Sequence, residues 1–420
     1  MDITTLGEPQ FPSPVKRTVS DNLRIPERTI QDPENPVMSD LDFEIAGPRA
    51  LLFFDPEKTR AGIVTCGGLC PGLNNVIRSV FLELYFAYGV KEVIGFRGGY
   101  LGLDPDRGKE PLRLTPQIVD SIHKEGGTLL GTSRGPVDIS LAVDNLIRLG
   151  INILFTVGGD GTQKGGNAIY QEARKRGYHL SVVGIPKTID NDVAFVTRTF
   201  GYLTAVEEAS KVLYRAHTEA RSVDNGIALV KLMGRNAGFI TAGATVACQD
   251  VNFALVPEVP FKLDGPGGFL AALKERMLSR SHALIVVAEG AGQDLIKTGT
   301  NERDASGNIK SKDIGIYLKD VIETYFKSEN IPVVIRYIDP SYLVRSSPAN
   351  AEDSILCDLF ARNAVHAAMA GKTGLVIGYM HNVFIHVPIE LLTGRKKIME
   401  PDSLTWYAAL SATGQAEIFE

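Results

Sequence analysis

The chain has 420 residues, 44% of them hydrophobic, and a formal net charge of −5 at pH 7. That apolar content supports a large core and more than one lobe, and the mixed, mildly acidic charge argues against a nucleic-acid or membrane-surface protein. Four scattered cysteines, Cys66, Cys70, Cys248 and Cys357, give no disulfide framework, and no apolar run reaches transmembrane length. The start, MDITTLGEPQ, carries no basic-then-apolar leader pattern. A reducing, cytoplasmic setting is expected.

Residues 1 to about 50 are rich in Pro and charge and show little periodicity. They read as an extension, packed over a neighbouring surface or mobile. Ala61–Cys66 is the first expected strand. It runs into Gly67-Gly-Leu-Cys-Pro-Gly72 and a helix starting near Leu73, an order that offers backbone N–H groups to phosphate. Neither GxGxxG nor GxxxxGK[ST] is present; Gly371-Lys-Thr373 fails because His366 stands where the first glycine belongs. Cys66 and Cys70 have no second pair or nearby His to complete a zinc site, and read as small buried side chains. Val90–Phe96 is a second strand, followed by an expected loop to Leu103. A Gly/Ser-rich turn from Gly126 to Gly135 carries Arg134, which suits a surface ion pair or a donor phosphate. Ile139–Leu149 is helical.

The most informative stretch is Ile153 to Asp192. Two apolar runs, 153–157 and 180–185, read as buried parallel strands joined by a helix over about 162–176. In open parallel sheets ligands bind beyond the carboxyl ends of the strands, so the two following loops become the candidate site. The first is Gly158-Gly-Asp-Gly-Thr162, where bare glycines and a helix start suit phosphate, and Asp160 suits Mg2+. The same loop also fits a tight turn capped by Asp160. The second is Pro186-Lys-Thr-Ile-Asp-Asn-Asp192. It supplies a cation and carboxylates, the groups that phosphoryl transfer to an alcohol requires; alone it also fits a solvated loop with Asx turns.

Gly201–Glu219 is a long helix, and Ile227–Leu232 a strand ending in Met233-Gly-Arg235, where an Arg suits a phosphate oxygen. Strands follow at 252–256 and 283–288, the latter ending in Glu289. Gln293–Ser311 is polar and reads as a long excursion. Ile331–Arg336 is a strand leading to Tyr337-Ile-Asp-Pro-Ser-Tyr-Leu-Val-Arg345. Ser354–Ala370 is helical and Leu375–Tyr379 a strand. His381 and His386 are read as ordinary polar residues. The tail beyond Lys396 is unassigned.

GGDGT, GIPKTIDND, KLMGR and YIDPSYLVR, in this order, resemble the phosphofructokinase family. The likeness is greatest to the ATP-using branch of plants and trypanosomes, which sides in sequence with pyrophosphate-using enzymes. The resemblance implies an α/β fold with two doubly wound, Rossmann-like lobes and an N-terminal extension. The extension would be 1–60, the nucleotide-binding lobe 61–201 plus 345–395, and the sugar-phosphate lobe 202–344 plus 396–420. It implies phosphorylation of fructose 6-phosphate by ATP with Mg2+ in glycolysis, by a homo-oligomeric, dimeric or tetrameric, allosteric enzyme without nucleic-acid or membrane partners. Nucleotide would meet Gly68, Arg134, Gly135, Gly159, Asp160, Gly161 and Thr162. Sugar phosphate would meet Thr188, Ile189, Asp190, Met233, Gly234, Arg235, Glu289, Arg336, Tyr342, Leu343, Val344 and Arg345. Asp190 would be the base, Asp160 the metal ligand, and Lys187 and Arg235 would stabilise the moving charge. Relatives often carry His where Tyr342 stands, and some bacterial ones an Arg where this chain has Gly226. Lys187 is the type found in pyrophosphate users, whereas those enzymes carry a second Asp where Gly161 stands. Gly161 is weighted above Lys187, so ATP is expected. The alternatives are a pyrophosphate-dependent enzyme and a non-catalytic, sugar-phosphate-binding regulatory subunit; the latter would be expected to lack Asp160 or Asp190.

Overall fold

The computed structural model describes residues 2–29, 41–133, 135, 137–296, 312–392 and 394–420. Arg134 and most of the polar 293–311 segment lie outside the described residues. The chain forms two compact units: Met1–Thr188, Val193–Gly201 and Pro348–Lys396 in one, and Ile189–Asp192, Tyr202–Ser347 and Lys397–Glu420 in the other. The N-terminal extension therefore belongs to the first unit, and the tail from Lys397 to the second.

The first unit is built on a seven-stranded sheet in the order Val383–Pro388, Leu375–Met380, Ser181–Pro186, Ile153–Gly158, Arg60–Thr65, Glu92–Phe96, Leu112–Arg113. The inner five strands are parallel and the two outer ones antiparallel. Ile153–Gly158 and Ser181–Pro186 are buried along their whole length, which is why both read as unbroken apolar runs. Gly158 is in register with Pro186, so the loops that follow leave the sheet at the same level.

Two features of this unit differ from the expectation. The segment after Phe96 is a 3-10 turn, Gly99–Leu103, that drives Tyr100 into the core, not an open loop. His386 is no ordinary polar residue. It sits fully buried on Val383–Pro388, a strand entered through His381 and Asn382, whose positive φ values of 50° and 62° make the tight hairpin.

The extension packs onto the first unit's own surface. Leu6 N–H donates to Gly371 O at 2.9 Å and Thr373 N–H to Thr4 O at 3.0 Å. Its anchor is a buried ionic cluster. Glu44 takes His386 Nδ1 at 2.9 Å, Lys372 Nζ at 2.8 Å and Arg49 at 2.5 Å, while Asp21 takes Lys372 and Arg49 at 2.8 and 2.6 Å. Burial alone would raise the Glu44 pKa, but the hydrogen bond from His386 and the Lys372 ammonium outweigh it and hold the carboxyl well below its usual range. Burial keeps His386 itself neutral, so it donates from Nδ1. Glu44→Gln leaves two buried cations with one partner fewer and should cost roughly 3–5 kcal/mol. A depressed carboxyl stabilises the fold above its unfolded pKa, and that share is lost as pH falls through the folded value. Thermal unfolding should therefore show a lower Tm for Glu44→Gln at neutral pH and a gap that narrows on acidification. An unchanged Tm at pH 7 would remove the cluster from the stability of this unit.

The second unit carries a four-stranded parallel sheet in the order Phe253–Leu255, His282–Ala288, Gly226–Leu232, Val334–Ile338. The last strand starts three residues later than expected, because Pro332 has no N–H for the ladder. The tail is not loose: it forms the helix Leu404–Thr413, buries Trp406, and sets Phe419 among Phe253 and Phe269 in the core. Between them the Gln415 side-chain amide receives Ala254 N–H at 2.7 Å and donates to Ala254 O at 3.1 Å, on the outermost strand.

Candidate active site

In the first unit the helix Asp160–Lys175 starts directly from Ile153–Gly158, with Gly159 as an N-cap that has no side chain to offer. The turn is made from within. Gln163 Nε2 donates to Gly158 O at 2.9 Å, and Tyr100 Oη donates to Thr162 O at 2.5 Å. A Cβ on Gly158 would lie 2.1 Å from Thr162 Oγ1, so only glycine fits there. Gly161 is the opposite case: nothing lies within 4 Å of its missing Cβ. The result is a bare helix start, with positive potential and room beside it.

Two further glycine loops are stitched beside this unit's strand ends. Thr132 Oγ1 donates to Gly67 O at 2.7 Å, Ser133 Oγ to Gly98 O at 2.6 Å, and Thr65 Oγ1 to Gly131 O at 2.8 Å. Gly67, Gly98, Gly131 and Gly135 all have positive φ. Lys187 is buried and reaches this region: its Nζ donates to Gly68 O at 2.5 Å. Burial pushes the neighbouring Cys66 thiol up to about 12 against the Lys187 charge, so Cys66 remains a thiol. Thr188 O accepts Thr199 Oγ1 at 2.7 Å. Gly68, Gly159, Asp160, Gly161, Thr162 and Lys187 are thus carried on adjoining loops of one unit.

In the second unit, Ile189 is buried and Asn191 adopts φ 56°, a left-handed turn that Asn tolerates, between Asp190 and Asp192. Leu232 is in register with Ala288, so Met233-Gly-Arg235 and Glu289 emerge side by side. Gly290 N–H donates to Gly234 O at 3.2 Å, and a Cβ on Gly290 would fall 1.9 Å from Arg235 O. Burial pushes the Glu289 carboxyl up, while Arg235, Lys231 and Arg345 pull it down and Asp339 adds to the rise. Arg345 sits on the short helix Ser341–Ser346 with its guanidinium 4.7 Å from the exposed Tyr342 ring. Leu343 is exposed too, whereas Val344 is packed inward. Arg336 does not join this group. It pairs in register with Ala228, four residues short of Leu232, and its Nε lies 3.4 Å from Glu219.

The sequence reading missed three supports: Gln163, Tyr100 and Lys231. Lys231 holds Asp313 at 2.8 Å and Asp339 at 2.9 Å. Burial works against its charge, but these two partners raise its pKa. Asp339 also accepts from Ser341 N–H at 3.1 Å, which fixes the start of the helix carrying Arg345. A lysine inside the buried strand Gly226–Leu232 was the available signal.

No group of three or more His, Cys, Asp or Glu among the described residues is arranged to hold a metal unaided. Mg2+ needs fewer protein ligands: it binds through one or two carboxylates completed by substrate phosphates and water. Asp160 is the carboxylate at the glycine helix start.

Comparison with known proteins identifies the family. The chain is 48% identical over 382 residues to the ATP-dependent 6-phosphofructokinase of Borreliella burgdorferi, covering 90% of this chain and 86% of that one. It is 47% identical over 377 residues to the enzyme of the same name from Trypanosoma brucei brucei, covering 89% and 77%. The crystal structure of a pyrophosphate-dependent phosphofructokinase from Marinobacter aquaeolei superposes with a TM-score of 0.69 at 19% identity, covering 86% of this chain and 93% of that one, a likeness of fold. The family model described as Phosphofructokinase matches residues 60–368, so this chain belongs to the phosphofructokinase family.

Proposed function

We infer that this chain is an ATP-dependent 6-phosphofructokinase, transferring the γ-phosphoryl group of ATP to fructose 6-phosphate to give fructose 1,6-bisphosphate in glycolysis. The carrying observation is the 46–48% identity, over 88–90% of the chain, to relatives that bear this activity in their names. The residues supply the parts this chemistry uses. The helix start at Gly159–Thr162 and the Gly68 and Gly135 loops receive the donor phosphates, and Asp160 is the residue that would hold Mg2+. When bound, that ion would neutralise charge on the donor phosphates. Asp190 accepts the proton of the sugar hydroxyl, Lys187 and Arg235 oppose the charge on the transferring group, and Glu289 hydrogen-bonds the sugar hydroxyls. Arg345 and Tyr342 receive the sugar's phosphate; Arg336 belongs to the same set by resemblance. Asp160 and Asp190 are both present, which favours catalysis over a regulatory subunit.

No helix among the described residues is long and apolar enough to cross a membrane. We place the enzyme in the cytoplasm as a homo-oligomer. Fructose 1,6-bisphosphate formation by purified protein with Mg2+ should show a higher kcat/KM with ATP than with pyrophosphate. The reverse order would overturn the donor assignment.

A further inference from the structure

Two loops of the second unit carry the groups that act on the sugar: Ile189–Asp192 and Gly234–Gly238. A strap from the tail meets the first directly and reaches the second through Glu258. Lys397 N–H donates to Asp192 O at 3.0 Å. Two residues on, the buried Met399 donates its N–H to Glu258 Oε1 at 3.0 Å. The same carboxylate receives Gly238 N–H, at 2.9 Å to Oε1 and 3.0 Å to Oε2. Gly238 is the N-cap of the helix Phe239–Cys248 and has no side-chain cap of its own.

The Gly234–Gly238 loop has little slack. At one end Gly290 lies against Arg235 O, too close for any Cβ. Inside it, a Cβ on Gly234 would meet Ala237 O at 2.6 Å. At the other end a Cβ on Gly238 would meet Val256 at 2.5 Å and Glu258 Oε2 at 2.9 Å. A shift at Gly238 therefore passes to Arg235.

We propose that Glu258 is a positioning residue for phosphoryl transfer: through Met399 and Gly238 it fixes the loop bearing Arg235 to the strap that also holds the loop bearing Asp190. This rests on the kinase reading above. Glu258 touches no reacting atom; its effect comes from reach, since one carboxylate must span two N–H groups on separate segments. Misplacing a reacting group by about 1 Å can cost roughly 10²-fold in rate.

Charge and reach can be separated. Glu258→Asp keeps the anion at the helix terminus but shortens the side chain by one methylene, so it cannot serve both donors. Glu258→Gln keeps the length and an accepting oxygen but loses the charge. Wild-type turnover of ATP and fructose 6-phosphate first tests the kinase reading; if it is absent, that reading fails. Given an active wild type, Glu258→Asp should lower kcat at least tenfold and raise KM for fructose 6-phosphate, with KM for ATP within twofold. Glu258→Gln should retain most of kcat. A Glu258→Asp variant with wild-type constants would overturn the proposal, as would Gln being the more damaged of the two. A parallel rise in both KM values would assign Glu258 a general structural role instead. Should the Asp variant fail to fold while Gln folds, a kcat for Gln below a tenth of wild type would equally overturn it.

Discussion

Asp190→Asn is expected to lower kcat by roughly 10²–10⁴-fold while fructose 6-phosphate still binds. The substitution keeps the shape of the side chain and removes only its capacity to take the hydroxyl proton. The backbone around it is fixed by contacts that do not involve the carboxylate: the left-handed turn at Asn191 and the Lys397 N–H on Asp192 O. A loss confined to kcat therefore reads as loss of the base. Steady-state kinetics with a calorimetric measurement of sugar-phosphate binding checks both halves. Turnover within a few-fold of wild type would remove Asp190 from that role, and abolished sugar binding would make it a ligand instead.

Gly161→Asp should separate donor choice from folding. Nothing within 4 Å obstructs a Cβ at Gly161, its φ is not positive, and a carboxylate in the first helical turn suits the macrodipole. The Tm should therefore hold or rise slightly. The cost falls on the donor, because a new negative charge would stand where ATP phosphates approach. Two like charges at about 4 Å repel by about 4 kcal/mol at an effective dielectric of 20, and half of that exceeds a tenfold effect. We expect kcat/KM for ATP to fall roughly 10²-fold or more. Gain of pyrophosphate use is not required, since other residues shape that site. An ATP kcat/KM near wild type in a folded variant would show that this position does not select the donor. Lys187 argues less strongly in either direction, because its ammonium already serves Gly68 O, a use indifferent to what binds.

The sequence made the central strands and glycine loops of the first unit legible because their signals are local. Ile153–Gly158 and Ser181–Pro186 have no polar face to display, so their apolar runs and the residues that follow mark where the strands end and the loops begin. Most of the supporting contacts were not legible, because they depend on distant partners. Tyr100 is 62 residues from Thr162, Lys231 is 82 from Asp313, and His386 is 342 from Glu44. Arg336 is a residue whose neighbours the sequence did not reveal. It lies close to Arg345 in the chain, but a strand advances about 3.3 Å per residue. At the level of Ala228, four residues before Leu232, its neighbour is Glu219.

The Gln415 amide has a consequence for self-association. Phe253–Leu255 is the outermost strand of its sheet, and such a strand normally offers unsatisfied N–H and C=O groups to another chain. A primary amide carries the same donor and acceptor as a peptide group, so one glutamine side chain acts as a one-residue strand. By occupying both groups of Ala254 it closes the middle of that edge to intermolecular β-pairing, and the tail thereby works as a guard against sheet-to-sheet aggregation at this strand.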